Sequence, residues 1–223
     1  MIVADKIILS PSSLNLFLEC PKCFWLHEVR KIHRPKGPFP SLPGGMDIAI
    51  KSYFDKFRRE DTLPPFLKFP GRLVEENLIK EWRNNRKGIR WFDSESEATL
   101  MGALDDCLID EECYIPIDYK TRGWMIKEDS HTYYQNQLDC YTLLLKKNGF
   151  QHKNLAYLIF WSPEEVKENN LVSFKIEPVK VETNPETALK TFQAAVKILR
   201  GFMPEHHSAC LFCSWGNDFV NFE

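Results

Sequence analysis

The chain has 223 residues, of which 43% are hydrophobic and 27% charged, enough apolar content to bury a core. Aromatic side chains at 13% argue against disorder, and a net charge of −2 excludes a uniformly basic, histone-like nucleic-acid binder. No apolar run approaches the roughly 20 residues of a membrane span, and the acid at Asp5 in a short N-terminal apolar stretch does not fit a signal peptide, so a cytoplasmic chain is expected.

Ser10-Pro11-Ser12 predicts a helix start, a Ser cap followed by Pro in the first turn, with Leu14, Phe17, Leu18 and Trp25 at helical spacing. Pro35 to Pro43 reads as a loop and Met46 to Phe57 as a helix with Ile50, Tyr53, Phe54 and Phe57 inward. After a Pro-rich break from Thr62 to Gly71, Leu73 to Trp82 reads as an amphipathic helix that runs into a basic stretch at 83–90. Leu100 to Ile109 and Cys113 to Thr121 are strand-like and separated by Asp110-Glu111-Glu112, which predicts a hairpin. Residues 132–148 return to helical period, with Tyr134, Leu138, Tyr141 and Leu145 on one stripe and Asn148-Gly149 as the stop. Leu155 to Trp161 reads as a buried strand and Leu171 to Ile176 as a half-exposed one. Thr183 and Glu186 suit a capping box, and Asn184-Pro185 also suits a helix start, for a last helix reaching about Met203. The order predicts a mixed α/β fold with helices around a sheet.

Four of the seven cysteines form two pairs, Cys20-Pro21-Lys22-Cys23 and Cys210-Leu211-Phe212-Cys213. A two-residue gap lets both thiolates of a pair reach one metal site, and two pairs supply four sulfur ligands, a set that suits Zn²⁺ or an iron–sulfur cluster equally. Such a site would clip residues 10–30 to residues 204–223 as a Cys-cluster subregion of one domain spanning 1–223. Cys107, Cys113 and Cys140 read as small core residues.

On the second hairpin strand, alternation puts Tyr114, Pro116, Asp118 and Lys120 on one face and Ile115, Ile117, Tyr119 and Thr121 on the other. Asp118 and Lys120 are then about 7 Å apart along the strand. The first strand adds Asp105 or Asp106, and an acid on each strand with a lysine beside them suits a Mg²⁺ or Mn²⁺ site. The plainer alternative is an outward ion pair on a solvated hairpin, but the strand Tyr114-Ile115-Pro116-Ile117-Asp118-Tyr119 is too apolar for a fully exposed edge. Pro116 removes a ladder donor and belongs at an edge or a bulge.

The motifs Gly102-Ala103-Leu104-Asp105, Ile117-Asp118-Tyr119-Lys120-Thr121 and Gln137-Leu138-Asp139-Cys140-Tyr141 resemble, in order, the GxxD, DxK and QxxxY motifs of the PD-(D/E)XK nuclease superfamily. The opening Ser10-Pro11-Ser12-Ser13-Leu14 to Cys20-Pro21 and the terminal cysteines resemble its RecB-like branch, which includes the AddB nuclease domain and CRISPR-associated exonucleases. The resemblance implies a restriction-endonuclease-like mixed sheet flanked by helices. It implies that Asp105 and Asp118 hold Mg²⁺ or Mn²⁺, that the Tyr119 carbonyl completes the metal shell, and that Lys120 positions the attacking water. Gln137 and Tyr141 would face the site from the following helix, and Cys20, Cys23, Cys210 and Cys213 would hold a [4Fe-4S] cluster.

The chain departs from that pattern twice. Asp47 stands where many nucleases of the branch place a metal-binding His, and the cysteines are arranged two early and two late rather than one and three, with Phe219 where a last Cys would fall. These departures leave Zn²⁺ open as the occupant of the Cys site. The resemblance implies a DNA nuclease, an exonuclease on single strands or ends, in CRISPR adaptation or DNA repair beside an integrase or helicase. The alternative is a non-catalytic nucleic-acid-binding module with a structural metal. The basic stretches at 22–36 and 80–90 would contact phosphates, and among Trp25, Trp82, Trp91 and Trp124 the last is placed best to stack on a base.

Overall fold

A computed structural model describes residues 6–37 and 41–220. The start of the N-terminal apolar stretch, the centre of the Pro35–Pro43 loop and the side chain of Phe219 lie outside the described residues.

The N-terminal helical stretch is two helices, α1 (Pro11–Glu19) and α2 (Pro21–Arg30), after a short strand β1 (Ile8–Leu9). Ser10 caps α1 as expected, its side chain accepting from the Ser13 N–H. The break between the helices has a local cause. Pro21 crowds the residue before it out of helical space, and Cys20 is extended at φ −162° and ψ 108°. That places Cys20 at the cap of α2 and Cys23 in its first turn.

Helix α3 (Ser41–Arg59) starts earlier than its apolar period suggested, because Pro43 is tolerated in a first turn. A short strand β2 (Arg72–Leu73) precedes α4 (Glu76–Trp82), so the predicted helix over 73–82 gives its first residues to a sheet. The basic stretch ends in a strand, β3 (Ile89–Asp93), which the charges hid from the sequence reading. The predicted first hairpin strand is also divided, into β4 (Ala98–Gly102) and β5 (Asp106–Asp110). The residues between them are captured by the end of α4: the Leu104 N–H donates to the Trp82 carbonyl, and Arg83 Nε donates to the Asp105 carbonyl. The hairpin itself stands, with β5 antiparallel to β6 (Cys113–Thr121) and Asp110 opposite Cys113.

A 3₁₀ turn (Ser130–Tyr134) leads into α5 (Gln135–Lys147). Strands β7 (Leu155–Val166) and β8 (Val172–Glu182) are longer than predicted and pair along almost their whole length, since cross-strand pairing carries β structure past the apolar residues. Helix α6 (Pro185–Arg200) is capped by Asn184, whose side chain accepts from the Glu186 and Thr187 N–H groups. Thr183 therefore does not cap this helix; its hydroxyl accepts instead from Thr142 on α5. Helix α7 (Leu211–Val220) was not predicted.

The strands form two mixed sheets, one ordered β1-β4-β3 and one β2-β5-β6-β7-β8, with helices against them. β1 runs parallel to β4, and β6 parallel to β7; the other neighbours are antiparallel. Side-chain alternation on β6 splits the core. Ile115, Ile117 and Tyr119 pack with Ile50 and Phe54 of α3, while the larger apolar cluster holds α5, α6 and both sheets together. Pro116 lies in a central strand, not an edge. It is tolerated because it falls in the gap of the β6–β7 ladder between the Tyr114–His152 bridge and the Ile117–Tyr157 pair. Cys107 and Cys140 are core residues as expected, and Cys113 is half-buried. Among the described residues no helix is long and apolar enough to cross a membrane.

Candidate active site

The face of β6 that carries Asp118 and Lys120 looks toward α5, and Gln137 and Tyr141 lie one turn apart on that helix. The two elements meet in a closed set of contacts. Gln137 Nε2 donates to Asp118 Oδ1 at 3.0 Å and to the Tyr141 hydroxyl at 2.7 Å, while Gln137 Oε1 accepts from Lys120 Nζ at 3.1 Å. Tyr141 then donates to the Ala103 carbonyl at 2.8 Å, which ties the helix to the loop that carries Asp105. Gly102 makes this approach possible: a Cβ there would lie 2.8 Å from Leu144 Cδ1 and 3.1 Å from the Tyr141 ring. Asp105 reaches the same place from the β4–β5 link, its Oδ2 accepting the Tyr119 N–H at 3.0 Å. The Tyr119 backbone thus meets Asp105 through its N–H.

Asp118 is fully buried, and its Oδ2 is held by Lys120 Nζ alone, at 2.5 Å. Burial pushes its carboxyl up to about 7; Lys120 opposes that rise and Asp105 adds to it. Burial works against the Lys120 ammonium, yet Asp118 and Asp105 hold its pKa above the ordinary lysine value. A buried carboxylate whose Oδ2 is held by a single cation, beside a second carboxylate, is a fitting donor set for a hard divalent cation.

Asp47 approaches from α3. Lys51, one turn on, bridges it to Asp105, with Nζ 2.8 Å from each carboxylate. The three acids do not pack as one tight cluster. Among the described residues the only group of three or more such ligands within 4.8 Å is Cys20, Cys23, Cys210 and Cys213.

Asp106, the other candidate on the first hairpin strand, has a different place. Its side chain is wholly buried and accepts from Arg58 Nη2 at 2.6 and 2.7 Å, Arg83 Nη2 at 2.9 Å, the Tyr119 hydroxyl at 2.7 Å and the Cys107 N–H at 2.8 Å. Arg83 also grips Asp55 at 2.8 and 2.9 Å. This buried ionic layer lies under the site and, through the Arg83 bond to the Asp105 carbonyl, fixes the loop above it. Arg83 is therefore a structural cation and not a phosphate contact, which corrects one member of the basic stretch at 80–90.

The two cysteine pairs meet. Cys20–Cys213, Cys23–Cys210 and Cys23–Cys213 Sγ distances are 3.8, 3.7 and 3.5 Å. The Cys20 thiol is lowered to about 7: burial works against this, but backbone hydrogen bonds from Cys23, in the first turn of α2, and from His207, with those of the Cys210 and Cys23 thiols, outweigh it. Burial raises the Cys213 thiol. Arg34 Nη2 lies 3.7 Å from Cys210 Sγ with its guanidinium over the Phe212 ring, so this member of the 22–36 basic stretch serves the cysteines.

Beyond Lys120, Arg122, Trp124, Met125, Lys127 and Tyr133 line a cavity of about 350 Å³. Trp124 is 75% exposed and Tyr133 72%, whereas Trp82 is buried and Trp25 and Trp91 are half-buried. Lys51 in the site and Arg58 beneath it were missed by the sequence reading, and Arg83 was read there as a phosphate contact. A lysine one turn after Asp47 was a visible signal for the first; nothing marked the two arginines as buried.

No curated protein matches the sequence. A solved structure described as "Crystal structure of SSO0001" superposes with a TM-score of 0.48 at 13% identity, covering 88% of this chain and 78% of that one. Residues 54–217 match the family described as the PD-(D/E)XK nuclease superfamily, a span that includes the Asp105 loop, the Asp118–Lys120 strand and the Gln137–Tyr141 helix. The chain belongs to the PD-(D/E)XK nuclease superfamily.

Proposed function

We propose that the chain is a metal-dependent deoxyribonuclease of the RecB-like branch that hydrolyses phosphodiester bonds of single strands or DNA ends as an exonuclease. The observation that carries this reading is the Asp118–Lys120 pair on one strand, locked by Gln137 from the facing helix, with Asp105 alongside. Asp105 and Asp118 would hold the Mg²⁺ or Mn²⁺ ion, with Asp47 at the rim. The bound ion supplies Lewis-acid polarisation of the scissile phosphate and charge neutralisation. Lys120 holds the attacking water and counters charge developing on the phosphate. Gln137 keeps Asp118 and Lys120 in register, and Tyr141 anchors Gln137. Trp124 and Tyr133 offer stacking faces to an unpaired base in the cavity past Lys120, which supports single-stranded substrate.

The test is cleavage of end-labelled single- and double-stranded DNA with Mg²⁺ or Mn²⁺, beside Lys120→Ala. Metal-dependent cutting that falls about 100-fold or more in the variant supports the reading, the scale of a lost electrostatic stabiliser. No cutting above the variant, with DNA binding intact, would make the chain a nucleic-acid-binding module. A place in CRISPR adaptation or DNA repair, beside an integrase or a helicase, rests on resemblance alone; co-purification tests it.

For the cysteine site we propose a single tetrahedral ion, Zn²⁺, in place of the [4Fe-4S] cluster that the resemblance implies. Four thiolates at about 2.3 Å from one zinc lie about 3.8 Å from each other; three of the six sulfur separations here are 3.5 to 3.8 Å, and all four sulfurs lie within 4.8 Å of one another. A cubane binds each thiolate through a separate iron and holds the four further apart. Colourless protein with one zinc per chain supports this assignment; brown protein with four irons overturns it.

A further inference from the structure

The charges at the site nearly cancel without any added ion. Three carboxylates, Asp47, Asp105 and Asp118, face two ammonium groups, Lys51 and Lys120, leaving a formal −1. Every carboxylate already has a cation against it. Both oxygens of Asp105 are engaged, Oδ1 by Lys51 at 2.8 Å and Oδ2 by the Tyr119 N–H at 3.0 Å. A divalent cation at this point must compete with Lys51 directly, and would leave the pocket with excess positive charge unless an anion came with it.

The two lysines are held differently. Lys120 is cradled by Asp118, by the Gln137 amide oxygen and by the Tyr134 ring, 4.6 Å from its Nζ. The Lys51 ammonium contacts only the two carboxylates among the described polar contacts. Its helix is anchored by buried Ile50 and Phe54 on either side of Lys51 in the chain, so the backbone is fixed while the four-carbon stem can swing the charge.

We propose that Lys51 is a resident counter-cation that yields Asp105 and Asp47 to a divalent ion when a DNA phosphate arrives to take its ammonium. Cation and DNA then bind cooperatively. DNA supplies the negative charge that the site lacks, and Lys51 moves from carboxylate to phosphate without leaving a buried charge unpaired. By linkage, DNA tightens metal binding by the same factor as the metal tightens DNA binding. The device also keeps the ion-free site intact, since Asp105 and Asp47 repel each other once Lys51 is gone. This inference rests on the nuclease reading.

The test is Mn²⁺ binding to the full chain, read by electron paramagnetic resonance of free Mn²⁺. It is run with and without a single-stranded oligonucleotide carrying cleavage-resistant phosphorothioate linkages, for wild type, Lys51→Met and Asp118→Asn. The wild type is expected to bind Mn²⁺ at least about fivefold more tightly with DNA, the lower end of typical coupling between sites. Lys51→Met is expected to bind Mn²⁺ alone more tightly than wild type and to lose most of the gain from DNA. Equal Mn²⁺ affinity of wild type with and without DNA overturns the proposal, as does Lys51→Met binding Mn²⁺ alone no better than wild type. If wild type and Asp118→Asn bind Mn²⁺ identically under both conditions, the nuclease reading falls as well. Lys51→Gln, which keeps a polar head, replaces Lys51→Met if circular dichroism shows that the latter is unfolded.

Discussion

The buried ionic layer beneath the site gives the sharpest stability prediction. Asp106→Asn preserves the shape of the side chain but removes the charge that faces Arg58 and Arg83. The Arg58 side chain is 3% exposed and has no route to water. It keeps the Val74 carbonyl and a 3.2 Å contact to Asp55, but of its two short bonds to Asp106 at most one survives, to a neutral amide oxygen, and an NH2 donor replaces the other acceptor. Arg83 keeps Asp55 and the Asp105 carbonyl. The loss is therefore concentrated on Arg58, and removing one partner of a buried pair costs about 3–5 kcal/mol. For a chain of this size that is a fall in Tm of roughly 6–20 °C. Urea unfolding of wild type, Asp106→Asn, Arg58→Met and the double variant measures both the cost and the coupling. Once Asp106 is neutral, replacing Arg58 should cost about 1 kcal/mol less than in wild type, or more so, because the orphaned charge is removed with it. A loss under about 1 kcal/mol in Asp106→Asn, or additivity of the two substitutions within about 0.5 kcal/mol, refutes the account.

Three further outcomes are expected. Because the folded-state value of Asp118 is raised to about 7, its contribution to stability is present below the ordinary carboxylate value and lost as pH rises through about 7; ion-free Asp118→Asn should lack that slope in melts at about pH 5 and about pH 8. Gly102→Ala should cost about 1–3 kcal/mol, since its methyl would meet Leu144 and Tyr141, and urea unfolding reads this; a loss within about 0.5 kcal/mol would mean that α5 shifts freely. Asn184→Ala should cost about 1 kcal/mol in the same assay through the lost cap of α6, whereas Thr183→Val should not fray that helix.

Local chemistry in the sequence was a good guide wherever one residue type has one physical meaning. Ser10-Pro11 started a helix, alternation put Asp118 and Lys120 on one face, and paired cysteines far apart in sequence came together. It was a poor guide where neighbours decide. The strand at 89–93 turns Ile89 and Trp91 inward and exposes Arg90 and Phe92, but the pattern is short and ends on a buried Asp93, so it is read only once it pairs with β4. The division of the first hairpin strand depends on Trp82 and Arg83, about twenty residues earlier in the chain, which no local pattern around Asp105 could show. The choice between Asp105 and Asp106 has the same origin. They are adjacent and identical in type; the GxxD resemblance favours Asp105, and in the fold it is the arginines on Asp106 that set the two apart. The spacing of Lys51, one turn after Asp47, was visible, but that it bridges Asp47 to Asp105 was not, because Asp105 arrives from a distant loop.

The meeting of Cys20 and Cys23 with Cys210 and Cys213 also sets an order in time. During synthesis the N-terminal pair emerges some 190 residues before its partners, which at ~5–20 residues per second is a wait of roughly 10–40 seconds. Over that interval the early pair lacks its partner pair, while α3, both hairpin strands and α5 are made and can pack. A four-sulfur coordination sphere can close only on a chain that has been made through Cys213 and whose middle has folded well enough to bring its ends together. Metal held at the proposed four-cysteine site would then be a tally of molecules folded through Cys213, and truncated or misfolded chains would be poor in it.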